Sequence, residues 1–98
     1  MKKLSSRTPV ETLAIRITGK VQGVGFRMAT VRQAHSLGVA GWVRNLEDGS
    51  VEALLQAPHD HIDQMLSWLH VGPPAARVER VDVHEVHDDR RYDRFEQI

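Results

Sequence analysis

The sequence predicts an α+β domain in which two helices cover one face of a mostly antiparallel sheet. Three observations carry this. Apolar side chains alternate with polar ones in short stretches, the period of half-buried strands. Two other stretches place apolar side chains three and four residues apart, the period of helices. Glycine, proline and aspartate punctuate the boundaries between them.

The elements follow in order. Leu13, Ile15 and Ile17 alternate with Ala14, Arg16 and Thr18 and make a first strand. Gly19, Gly23 and Gly25 break the alternation and read as a loop. Phe26, Ala29, Thr30, Ala34 and Leu37 form a helical stripe, and Gly38 stands where a glycine ends a helix. Residues 39–46 are β-branched and aromatic enough for a second strand. Asp48-Gly49 is a hairpin signal, and residues 50–57 alternate again through Val51, Ala53 and Leu55. Ile62, Met65, Leu66 and Leu69 share one face of a second helix, which Asp60 caps and Gly72-Pro73-Pro74 stops. Residues 78–86 make a fourth strand in which Val78 and Val81 are out of phase, calling for a bulge or a frayed start. Residues 92–98 add a short last strand. The order β-α-β-β-α-β is that of the ferredoxin-like split β-α-β fold. That fold hosts many functions, so function has to be read from a site.

The chain of 98 residues fits one domain, residues 12–98, behind a flexible N-terminal tail, residues 1–11. The tail is basic but no apolar run follows it, so it is expected to be a loose tail rather than a signal peptide. Cysteine is absent, which excludes a disulfide framework, a thiolate zinc site and a cysteine nucleophile and suits the cytoplasm. Thirteen basic and thirteen acidic side chains cancel. No long-range field then gathers nucleic acid or anionic membrane, and an anion site must be built locally. No apolar run approaches the roughly 20 residues of a membrane span. A monomer acting on a small molecule is the expectation.

The loop Gly19-Lys20-Val21-Gln22-Gly23-Val24-Gly25-Phe26-Arg27 joins a strand to a helix start. A helix start carries unpaired N–H groups and about half a positive charge. Glycines let successive amides turn inward as an anion nest. Arg27 lies in the first helical turn, and its planar fork can grip two phosphate oxygens. A phosphate or carboxylate cradle is one reading. A tight turn with a surface arginine is the other. Phe26-Arg27 stands where a Walker A loop needs Lys-Ser/Thr, and Met28 stands at the third glycine of a dinucleotide fingerprint. Asn45, near the end of the second strand, is unusual there. Its amide can orient a water and steady developing charge without titrating, or it can simply bond its own backbone before the turn.

Two motifs together resemble the acylphosphatase family. Residues 19–27 match its Gly-x-Val-Gln-Gly-Val-Gly-Phe-Arg loop. Gly41-Trp42-Val43-Arg44-Asn45-Leu46-Glu47-Asp48-Gly49-Ser50-Val51 matches its second motif, and residues 72–78 resemble its stretch before the fourth strand. Ala57 replaces a usual glycine, Met28 a common aromatic, and the ending Phe95-Glu96-Gln97-Ile98 is looser than usual. The resemblance implies hydrolysis of acyl phosphates to carboxylate and phosphate without metal or cofactor. Arg27 and the amides of Gln22, Gly23, Val24, Gly25, Phe26 and Arg27 would hold the phosphoryl group. Asn45 would orient the water. A non-catalytic phosphate-binding regulatory module is the alternative.

Other features read as structural. His59 and His61 cannot share a helix face, and His84 and His87 point to opposite sides of a strand, so they are expected to be solvated rather than metal ligands. Asp88-Asp89-Arg90-Arg91 is expected to be a polar turn, and Trp68 lies off its helix stripe, so partial exposure is expected. An RNA-binding domain would want aromatics on the central strands, and the first and third have none.

Overall fold

The computed structural model describes residues 9–98, so most of the expected tail lies outside the described residues. The elements are β1 (Glu11–Lys20), α1 (Phe26–Leu37), β2 (Ala40–Asn45), β3 (Val51–Ala57), α2 (His59–Leu69), β4 (Arg77–Glu85) and β5 (Phe95–Gln97). They form one sheet in the order β4-β1-β3-β2-β5. Neighbours run antiparallel except β5, which joins β2 in parallel. This is the split β-α-β arrangement with the extra C-terminal strand. β1 takes in Glu11, paired with Ala57, so strand pairing starts one residue before the expected boundary at 12.

The alternation in β1 buries Leu13, Ile15 and Ile17 beside Val43 of β2 and Ala53 and Leu55 of β3. Phe26 and Ala34 of α1 and Ile62, Met65 and Leu69 of α2 complete this core. Each fully buried large side chain contributes about 1.5–3 kcal/mol relative to exposure. Thr30 is buried on the same face, its hydroxyl donating to the Phe26 carbonyl at 2.7 Å. Gly38 ends α1 with φ 72°, and Val39 N–H reaches back to the Ala34 carbonyl at 2.9 Å. Trp68 is half-buried, with its ring centroid 5.9 Å from that of Phe26.

One expectation needs correction. Asp60 does not cap α2. The N-cap is Pro58, at φ −60° and ψ 154°, and its carbonyl accepts the N–H groups of His61 and Ile62 at 3.0 and 3.1 Å. Proline fixes the φ that the entry requires. Asp60 sits in the first turn, where its charge complements the helix dipole.

The phase slip in β4 is a bulge. Thr18 pairs with Arg80 but Gly19 with Val78, leaving Glu79 unpaired. Val78 and Val81 therefore both pack against the core. At Gly19 the strands meet so closely that a Cβ would stand 2.2 Å from the Arg77 carbonyl oxygen. The polar segment before β5 is a turn, with Arg90 N–H donating to Asp88 at 3.0 Å. Buried Gln56 pins it. Its amide nitrogen donates to Thr12 Oγ1 at 3.0 Å and to the Arg90 carbonyl at 2.8 Å, and its oxygen accepts from Tyr92 N–H at 2.9 Å. That fixes the approach of β5 to the sheet edge.

Candidate active site

Strand period two decides where Asn45 points. Gly41 and Val43 are buried on the helix side of β2, and Asn45 shares their parity. The strand end therefore aims Asn45 toward the start of α1. β5 does the same with Gln97, which shares the parity of buried Phe95 and pairs with Val43. Between them lies a cleft of about 190 Å³. Gln22, Gly23, Gly25, Phe26, Arg27 and Asn45 line it, with Val21, Met28 and Gln97. Residues as distant in sequence as Val21, Asn45 and Gln97 thus share one small hollow.

The floor of the hollow is the start of α1. Gly25, its N-cap, has φ 77°, a left-handed conformation that costs glycine nothing. A Cβ there would meet no atom within 4 Å, so backbone geometry and not crowding calls for the glycine. Ala29 N–H is the donor to the Gly25 carbonyl, at 3.0 Å. The N–H groups of Phe26, Arg27 and Met28 precede the first full helical turn and have no partner within the helix. No side chain caps them, and the first turn holds no acid. The dipole's positive end stands open to the cleft, with Arg27 beside it.

Not every expected residue contributes its side chain. The Phe26 ring is 2% exposed and belongs to the core, leaving only its backbone at the cleft. Val24 packs against the core and does not line the cleft. The Gln22 side chain turns away and donates to the carbonyls of Leu46 and Ser50, at 2.8 Å each. Arg27 is half-buried, with Nη1 3.5 Å from the Ile98 carbonyl oxygen. Gln97 was not foreseen as a cleft residue. Its only sequence signal is its spacing of two from Phe95, and the parallel pairing with β2 is a long-range event.

The hairpin that carries Asn45 is closed by Leu46 N–H donating to the Ser50 carbonyl at 2.9 Å. Asp48 accepts from the hydroxyl and the N–H of Ser50 and pairs with Arg16 across the sheet. The Ser50 hydroxyl, then its N–H, and then Arg16 hold the Asp48 carboxyl below the usual carboxylate range. Roomier hollows lie elsewhere. One of about 480 Å³ on the other face of the sheet is walled by charged side chains, of which Arg80 and Asp82 pair at 2.9 Å. Size does not select the site; converging backbone donors do.

The histidines lie elsewhere. His59 bridges Glu11 at 2.9 Å and Asp63 at 3.2 Å at the start of α2. Among the described residues no group of three or more His, Asp or Glu side chains is placed to hold a metal ion. No helix among them is long and apolar enough to cross a membrane.

Fold and cleft together define a small α+β protein with an uncapped, acid-free helix start opening on a cleft where a strand, a glycine loop and a helix meet. Comparison with known proteins narrows this. The acylphosphatase family model matches residues 13–97. An acylphosphatase of Paraburkholderia xenovorans is 61% identical over 88 residues, covering 90% of this chain and 91% of the relative. That of Burkholderia vietnamiensis is 60% identical over 88 residues, 90% of each chain. The crystal structure of acylphosphatase from Bacillus subtilis superposes with TM-score 0.86 at 32% identity, over 90% of this chain and 98% of that one. The structure of an acylphosphatase from Coxiella burnetii gives TM-score 0.88 at 34% identity, over 94% and 96%. This chain belongs to the acylphosphatase family and is an enzyme of that hydrolase class.

Proposed function

We propose that the cleft binds the phosphoryl group of an acyl phosphate at the start of α1 and directs water at its phosphorus. One observation carries the reading. The start of α1 is uncapped, free of acid and flanked by Arg27, and Asn45 faces the same small hollow. Backbone N–H groups from Gln22 to Arg27 receive the phosphoryl oxygens, and the Arg27 guanidinium neutralises their charge. Val24 takes part through its backbone alone. Asn45 holds the attacking water on the far side of phosphorus from the leaving group.

The chemistry asks little more. The water oxygen bonds to phosphorus as the bond from phosphorus to the acyl oxygen breaks. The carboxylate departs with the electron pair, and a water proton passes to a phosphoryl oxygen, giving dihydrogen phosphate. A carboxylate is a good leaving group, so no strong general acid is required. Transfer of this kind is mostly positioning and charge stabilisation around a loose transition state. Fixed donors supply both without reorganising. The reaction needs neither metal nor cofactor. A monomer working in the cytoplasm completes the proposal, a setting that a chain without cysteine fits.

The test is phosphate release from benzoyl and acetyl phosphate with EDTA present. Asn45→Ala should cut kcat by on the order of a hundredfold, by analogy with losing one preorganised donor, while competition by inorganic phosphate stays nearly intact. A variant with full turnover would remove Asn45 from the mechanism. Failure of the unaltered chain to turn over any acyl phosphate, with phosphate still bound, would favour a regulatory binding module.

A further inference from the structure

We infer that the side chain of Gln22 is a positioning residue that sets the distance between the phosphate loop and the water-orienting Asn45. The inference rests on the reading above and adds a part to it.

The two halves of the proposed site come from separate units. The loop and the start of α1 form one, and the β2–β3 hairpin forms the other. Each closes without Gln22. The hairpin has its own bonds, Leu46 N–H to the Ser50 carbonyl at 2.9 Å and Gly49 N–H to the Leu46 carbonyl at 3.2 Å. Asp48 and Ser50 reinforce it. α1 begins with its own bond from Ala29 to Gly25. The Gln22 amide is an additional tie from one unit to the other. Both hydrogens of its nitrogen are used, one on the Leu46 carbonyl and one on the Ser50 carbonyl, each at 2.8 Å. Leu46 is the next residue after Asn45, and Ser50 closes the same turn. A shift of the hairpin relative to the loop would carry Asn45 with it.

The residue type suits that task and no other of those proposed for the loop. A carboxamide gives two donors from one atom, so it can bracket two carbonyls at once. A glutamate would set a charged acceptor against two acceptors. Gln22 lines the cleft, yet its donors are spent on the hairpin. Its backbone N–H stays with the loop in any variant, so the side chain can be tested without removing a phosphate donor.

Gln22→Met keeps the length and removes the donors. It should lower kcat for benzoyl phosphate by on the order of ten- to a hundredfold, the scale of a misplacement of about 1 Å. Competition by inorganic phosphate should stay within about twofold, because the cradle is untouched. Gln22→Ala serves as a second variant, and circular dichroism on both establishes that they fold. The deciding measurement is the double-mutant cycle with Asn45→Ala. If Gln22 acts through Asn45, Gln22→Met costs almost nothing further once Asn45 is gone. Fully additive losses would overturn the inference, as would a weakening of phosphate competition that matches the loss in kcat, or unchanged kcat in both variants. A wild-type chain that does not hydrolyse acyl phosphates would instead defeat the underlying reading, and the two failures are read from different samples.

Discussion

The two helices of this molecule begin in opposite electrostatic states. Neither has a side chain bonded to its first amides. α2 neutralises itself. Asp60 lies in its first turn, and Glu11 and Asp63 stand close enough to hold His59. α1 does the reverse. Its N-cap is a left-handed glycine, its first turn has no acid, and Arg27 adds positive charge where the dipole is already positive. As a piece of a helix, that is unfavourable. It makes sense when something negative from outside completes the turn. The lesson concerns reading structures: a helix start is not a site, but one that lacks what its sister possesses, and opens on a cleft, has a charge left to be met.

The sharpest way to break the contrast is to remove the excess charge. Arg27→Ala should lower turnover of acyl phosphates by on the order of a thousandfold or more, the scale seen when an arginine leaves a phosphoryl-transfer site. Phosphate competition should weaken with it. Steady-state kinetics with phosphate titration checks both. Loss of turnover with unchanged phosphate competition would place Arg27 outside the cradle.

A subtler experiment makes α1 begin as α2 does. Met28 is 58% exposed at the cleft rim, so replacing it disturbs little packing. Met28→Asp should weaken phosphate competition and kcat/KM by about ten- to a hundredfold, since like charges at a half-screened distance cost one to a few kcal/mol. The same change should stabilise the helix by about 0.3–1 kcal/mol through the dipole. Activity and stability moving in opposite directions is the signature to look for, by kinetics and urea unfolding on the same sample. The converse, Asp60→Asn, should cost about 0.3–1 kcal/mol of stability and leave turnover unaltered.

The same distinction explains what could be read from the sequence. Strands and helices were legible because each leaves a local period, and the slip between Val78 and Val81 was visible as a change of phase that fitted a bulge or a frayed start until the register showed the bulge. The loop and Asn45 were legible as motifs. Gln97 in the cleft, the turned-away side chain of Gln22 and the clamp at Gln56 were not. Each depends on which distant strands meet, and no local pattern encodes that. Asp60 was misread as a cap because acid near a helix start fits both a cap and a dipole partner, and only backbone geometry separates them. Phe26 and Val24 were expected to act through their backbone amides, and their side chains do face the core.

The smallest expected effect lies at the self-completed end. Hydrogen bonding to Glu11, then the charges of Asp63 and Glu11, raise the His59 pKa above its ordinary value of about 6.5. Desolvation opposes them without reversing the direction, and Asp60 adds the smallest push upward. These acids outweigh the helix dipole, which alone would repel a cation here. A raised folded-state value means that protonated His59 stabilises the fold fully below about pH 6.5. The contribution fades as pH climbs through the raised value and is gone above it. Thermal unfolding of the wild type and of His59→Gln should therefore differ most near pH 6, and the difference should close by about pH 9. Because the ring and both partners are exposed, added salt should shrink the gap at low pH. Turnover should be indifferent to the substitution at every pH, for His59 serves a helix start that needs no anion from outside. A matched loss of activity would mean that the two helix ends are coupled, and the contrast between them would fall.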